Sequence, residues 1–136
     1  MNYGVTGTRT PTVEALEKVE EWVRSLPEDA TLYHGACQGV DSYAAQSATM
    51  HGLRVVAVVP YNRSKICQDA LVSSDEHIYV QQGSSRYNND YRVRNEMLVS
   101  KVEHLTAFWN GEERSGTFMT INIGKRAGIP VDVIQV

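Results

Sequence analysis

The stretch Arg54-Val55-Val56-Ala57-Val58-Val59, closed by Pro60, restricts the fold more than any other part of the chain. A strand with one wet face alternates apolar and polar side chains. Successive apolar residues without alternation instead demand cover on both faces, the condition of a central strand in a parallel sheet flanked by helices. Pro60 has no N–H to donate and ends the run. The rest of the sequence repeats this unit as short β-branched or aromatic runs, each followed by a helical pattern, with no internal repeat, low-complexity tract or linker.

Residues 3–6 read as the first strand, with Thr10 as N-cap and Pro11 as first-turn proline of a helix reaching about Leu26. Val13, Leu16, Val19, Val23 and Leu26 recur at three- and four-residue spacings and predict one sheet-facing stripe. A second strand over 31–34 leads to a helix over 40–51, where Ala44, Ala45 and Ala48 permit close approach and Gly52 is the stop. After the strand at 54–59 come a helix at 64–72, a short strand at 77–81, a polar loop at 83–89 and a helix at 89–102. The last pair of strands is 105–109 and 131–136, joined by a helix from Gly116 to Ala127 that Gly128 terminates. Right-handed crossovers put helices on both faces and gather the loops after the strands along one edge. The expectation is an α/β fold: a Rossmann-like, doubly wound, mainly parallel sheet in three layers. Its central order is 3-2-1-5-6, with the fourth strand at the edge beside the third.

At 136 residues, 42% hydrophobic and 21% charged, the chain reads as one ordinary domain able to bury a core without staples. Cys37 and Cys67 lack the paired spacing of a zinc or dithiol site, and the four histidines show no ligand spacing, so neither metal nor cofactor is expected. No signal peptide or membrane span is visible, which predicts a cytoplasmic protein with no membrane partner. A net charge of −3 makes nucleic acid an unlikely bulk partner, because a phosphate backbone is gripped by clustered Lys and Arg. An anionic ligand must be held locally.

Three strand-to-helix junctions offer such a hold: Gly4-Val5-Thr6-Gly7-Thr8-Arg9, His34-Gly35-Ala36-Cys37-Gln38-Gly39-Val40-Asp41 and Gly111-Glu112-Glu113-Arg114-Ser115-Gly116-Thr117. At each, a helix N-terminus with free N–H groups meets residues small enough for close backbone approach. None matches a Walker motif or a strict G-x-G-x-x-G, so it is their conjunction that points to phosphate.

These junctions, together with Arg94-Asn95 and in this order, resemble the SLOG superfamily over nearly the whole chain. That superfamily includes the Rossmann-like domain of the DNA-processing protein DprA and the LONELY GUY (LOG) phosphoribohydrolases. Single-domain DprA-like and YspA/YpsA-related members look most similar, through Arg94-Asn95-Glu96-Met97-Leu98-Val99 and the Ser115-Gly116-Thr117 helix start. The resemblance implies a nucleotide-like ligand: a nucleoside monophosphate, ADP-ribose or an NAD-derived signal. One wall of its site would hold Thr6, Gly7, Thr8, Arg9, Gly35, Ala36 and Gly39, the other Arg94, Asn95, Ser115, Gly116 and Thr117. It also implies a homodimer or larger homo-oligomer, for which Val93, Met97, Leu98 and Val102 supply apolar surface.

The LOG motif G-G-x-G-T-x-x-E places a glutamate three residues after its threonine, where this chain has Thr120. A hydroxyl cannot oppose the positive charge that develops on ribose during glycosidic cleavage, so a sensing or sequestering module is favoured over a hydrolase. The hydrolase remains the alternative, with Arg94 as a catalytic group and Glu96, Glu112 or Glu113 supplying the carboxylate. DprA-like single-stranded DNA binding is a second alternative, although Gln38 stands where an arginine is common. Arg94 either pairs with Asp90 or contacts phosphate, and Asp41 is either a helix N-terminal residue or a ribose-hydroxyl acceptor. His34 is expected to bond backbone, and Cys37, Tyr61 and Trp109 to fill space; Arg114, Lys125 and Arg126 read as surface charge.

Overall fold

The computed structural model describes residues 1–63, 65–82 and 90–136. Its elements are β1 (Asn2–Gly7), α1 (Val13–Ser25), β2 (Thr31–His34), α2 (Val40–Met50), β3 (Arg54–Val59), α3 (Gln68–Val72), β4 (Glu76–Tyr79), α4 (Asp90–Ser100), β5 (His104–Trp109), α5 (Gly116–Ala127) and β6 (Val131–Gln135). The strands form one sheet in the order β4-β3-β2-β1-β5-β6, with every pairing parallel. The architecture is the one expected, including β4 beside β3.

Pleat parity separates the two helical layers. Val55 of β3, Leu32 of β2 and Phe108 of β5 join the core made with α1 and α2. The opposite parity, Val58 with Tyr33, packs on Leu98 of α4, and Leu105 packs with Val99 of α4 and Ile123 of α5. All of Val55 to Val59 is buried, as the unalternating run requires. β5 also places the Thr106 hydroxyl in the interior with no hydrogen-bond partner among the described residues.

Several local expectations change. Thr12, not Thr10, caps α1, accepting from the Ala15 N–H at 3.1 Å, so Pro11 precedes the helix. The chain ahead of it is held elsewhere, because the Thr8 N–H donates to the Phe108 carbonyl and the Thr8 carbonyl accepts from Val40. Starting at Val13, the helix turns Ala15, Val19 and Val23 inward and leaves Val13 exposed. The expected helix at 64–72 is only α3. Its start at Ser64 lies outside the described residues, and the Cys67 N–H is drawn to the Ala36 carbonyl at 2.9 Å. The loop at 83–89 and the Asn89 helix start also lie outside the described residues. α4 ends at Ser100, where Lys101 and Val102 form tighter bonds to Leu98 and Val99. Of the apolar residues expected to support self-association, Leu98 and Val102 are buried, and Val93 and Met97 are half-buried against the sheet core.

Candidate functional site

From β1 the chain winds one way to β4, then returns to lay β5 on the other side of β1. The loops after β1 and β5 therefore diverge, and a crevice opens outside the carboxyl ends of these two strands. A cavity of about 340 Å³ occupies that place, lined by Gly7, Thr8, Arg9 and Thr10 on one side and by Asn110, Glu112, Arg114, Ser115, Gly116 and Thr117 on the other. Gly7, Arg9, Gly116 and Thr117 also border a deeper throat of about 40 Å³, which adds Thr6, Gly35, Cys37, Asp41, Arg94, Asn95, Leu98 and Thr120.

The outer basin is built on the first turn of α5. Ser115 caps it by accepting from the Phe118 N–H at 3.1 Å, and Met119 makes the first intrahelical bond to the Ser115 carbonyl. The N–H groups of Gly116 and Thr117 precede any intrahelical acceptor and, among the described residues, are free donors at the positive end of a 12-residue helix. A Cβ at Gly116 would meet nothing within 4 Å, so packing within the chain does not explain this glycine.

The end of α2 is different. Its N-cap, Gly39, has φ +81°, and a Cβ there would come within 2.6 Å of the Thr8 carbonyl oxygen, to which Val40 donates. That junction clamps the β1 loop, and Gly39 and Ala36 line neither cavity. Ala36 is buried at φ 61°, a strained value for a residue with a Cβ. The other expected site residues come together around the throat and basin.

Arg94 is 5% exposed and is held from three sides. Its Nη1 donates to the Gly35 carbonyl and lies 3.6 Å from the Cys37 sulfur, while Nε donates to Asn95 Oδ1 at 2.7 Å. Gly35 is needed for this approach, since a Cβ there would lie 2.7 Å from Nη1. The Tyr91 ring lies near two guanidinium groups, with Arg94 Cζ 5.6 Å and Arg9 Cζ 5.7 Å from its centroid. Asp41, also buried, accepts through Oδ2 from the N–H groups of Gly35 at 2.9 Å and Cys37 at 3.4 Å, which fixes the second loop. Burial pushes its carboxyl up to about 6, against the opposing pull of Arg94, these N–H groups and Arg9.

His34 bonds backbone, as expected. Its Nδ1 accepts from the Ala36 N–H at 3.0 Å and Nε2 lies 2.7 Å from Ser74 Oγ, whose hydroxyl donates to the Ala70 carbonyl. The neutral ring with its proton on Nε2 satisfies all three bonds. Burial, then the charges of Arg94 and His77, lower its pKa to about 3. Trp109 stacks on Phe118 at 5.2 Å and donates to the Glu112 carbonyl.

Of the carboxylates considered for catalysis, Glu112 borders the basin, whereas Glu96 is exposed and paired with Arg92. The Thr120 hydroxyl donates to the Gly116 carbonyl at 2.8 Å. Leu98, Thr120, Asn110 and Arg114 were not among the expected wall residues. Helical spacing identifies the first two: Leu98 lies three residues beyond Asn95, and Thr120 three beyond Thr117. Arg114 is exposed as expected, yet borders the basin.

The family model of DNA recombination-mediator protein A matches residues 1–135. The chain belongs to this family. It is thereby a member of the SLOG superfamily. No curated protein sequence matches it. DNA processing protein A (DprA) from Streptococcus pneumoniae superposes with a TM-score of 0.79 at 18% identity, over 97% of this chain and 49% of that one. DNA processing protein A from Helicobacter pylori, a protein with a described single-stranded DNA binding mode, gives 0.74 at 16% identity over 98% and 64%. The protein TM1055 gives 0.68 at 17% identity over 96% and 71%. At these identities the likeness is one of fold, and the chain spans about half the length of the Streptococcus protein. No helix among the described residues is long and apolar enough to cross a membrane.

Proposed function

We propose that this DNA recombination-mediator protein A family member binds a nucleotide or nucleotide-derived molecule by its phosphate in the basin between β1 and β5, acting as a sensing or sequestering module. The observation that carries the reading is the open first turn of α5. Two free N–H groups and the unfilled space at Gly116 face a cavity that Arg9 also borders. Calorimetry with nucleoside monophosphates, ADP-ribose, NAD and cyclic nucleotides tests it. Saturable binding is expected, weakened about tenfold or more in Arg9→Ala by loss of a charge-assisted contact, and blocked in Gly116→Val by the added side chain. No binding across the panel, or binding indifferent to both substitutions, overturns it.

Single-stranded DNA is the second reading, favoured by the family match and by the Helicobacter relative. Arg9 and Lys65 border a further groove of about 340 Å³ beside the basin, so cations continue past the site despite the negative net charge. An oligonucleotide bound far more tightly than any mononucleotide, with affinity falling steeply as salt rises, would favour this reading.

A further inference from the structure

The throat beneath the basin differs from it in chemistry. The basin offers an anion the first-turn N–H groups of α5 with Arg9 and Arg114, Glu112 standing beside them, whereas the throat places the Asp41 carboxylate beside the Arg94 guanidinium, with Thr6 and Thr117 on its wall. Asp41 is 5% exposed and uses Oδ2 for the Gly35 and Cys37 N–H groups. Among the described residues its Oδ1 has no hydrogen-bond partner, it is not sealed from solvent, and Asp41 borders the throat. A second phosphate there would meet a carboxylate at neutral pH. A base is too large for about 40 Å³. A hydroxyl fits both size and polarity, because it donates to Asp41 while its oxygen accepts from Arg94 or a threonine.

We infer that the throat reads a sugar hydroxyl through Asp41, so that the ligand of this site is a ribonucleotide rather than its deoxy counterpart. The inference rests on the proposed nucleotide-binding role: phosphate sits on the α5 turn and ribose points inward. Asp41 is a specificity-determining residue here, and its second oxygen keeps the loop in place independently of ligand.

Equilibrium binding of AMP, GMP, CMP and UMP, each against its 2′-deoxy form, tests this on the full chain. The ribose form is expected to bind about tenfold more tightly, the scale of one hydrogen bond to a charged group. In Asp41→Asn the amide oxygen still accepts from Gly35 and Cys37, while the amine turned to the throat replaces an acceptor with a donor. The ribose preference should then fall to about twofold or less, with deoxynucleotide affinity retained. Equal binding of both forms by the wild type overturns the inference and leaves the nucleotide reading standing. A preference that survives in Asp41→Asn overturns the assignment to Asp41. Failure of both forms to bind overturns the nucleotide reading and this inference with it. Should Asp41→Asn not fold, the wild-type comparison and Thr117→Val decide, the latter by narrowing the same gap.

Discussion

Asp41 and His34 sit at the ends of one loop and respond to acid in opposite directions. Folding raises the Asp41 pKa from 3.8 to about 6, so between these values the folded chain keeps a proton that the unfolded chain has lost. That contribution is present below about pH 4 and is lost as pH rises through 6. Folding lowers the His34 pKa from 6.5 to about 3, so its contribution is full above pH 6.5 and is lost as pH falls toward 3. The two slopes oppose one another across the same window. Replacing Asp41 with Asn removes one of them, and the variant is expected to lose more thermal stability than the wild type between pH 6.5 and pH 4.5. Thermal melts at the two pH values measure the difference; parallel losses would show that Asp41 is not held neutral by the fold. Neither residue's state was legible in the sequence. His34 reads as a strand-end histidine and Asp41 as a helix-start carboxylate, and only the loop wrapped around them reveals that both are desolvated.

Among the elements, α5 was readable from end to end because its signals are local. Ser115 caps its own third helical residue, and Gly128 takes the left-handed conformation that stops the helix. α1 was misread at its start because Thr10 and Thr12 both suit a cap and Pro11 lies between them. Bonds from the distant Phe108 and Val40 made the choice. α4 was less legible for a different reason: Asp90, Arg94 and Asn95 are buried, so the apolar periodicity that normally marks the inward face is broken by polar groups, two of which border the throat. The local character of the α5 cap gives a direct prediction. Ser115→Ala should cost about 1 kcal/mol in chemical denaturation, and should weaken ligand binding as well, since the first-turn donors lose their fixed direction. A stability loss with unchanged affinity would separate the cap from the binding surface.

For the molecule as a whole, one apolar run and a series of strand–helix alternations were enough to reach the complete strand order. Parallel crossovers leave few ways to wind such a sheet. That order gathered the binding loops along one edge, and the basin opens there between β1 and β5. The division of labour between the junctions did not follow, because Gly39 and Gly116 look alike in sequence while one touches a carbonyl and the other faces open space. The same arrangement bears on turnover. Asp41 is anchored to two backbone N–H groups, and Thr120, three residues beyond Thr117, offers only a hydroxyl already bonded to the Gly116 carbonyl. Free-base release from AMP is therefore expected at the detection limit, a deficit on the order of a hundred- to a thousandfold from one missing electrostatic group. Robust release by the wild type would refute this and identify Asp41 or Glu112 as the working carboxylate.

The bond from the Cys67 N–H to the Ala36 carbonyl ties the site loop to the segment entering α3. A fluctuation that parts Ala36 from this segment breaks the bond and exposes the amide. A ligand that stills this loop is expected to slow hydrogen exchange at the Cys67 amide, although Cys67 lines neither the throat nor the basin.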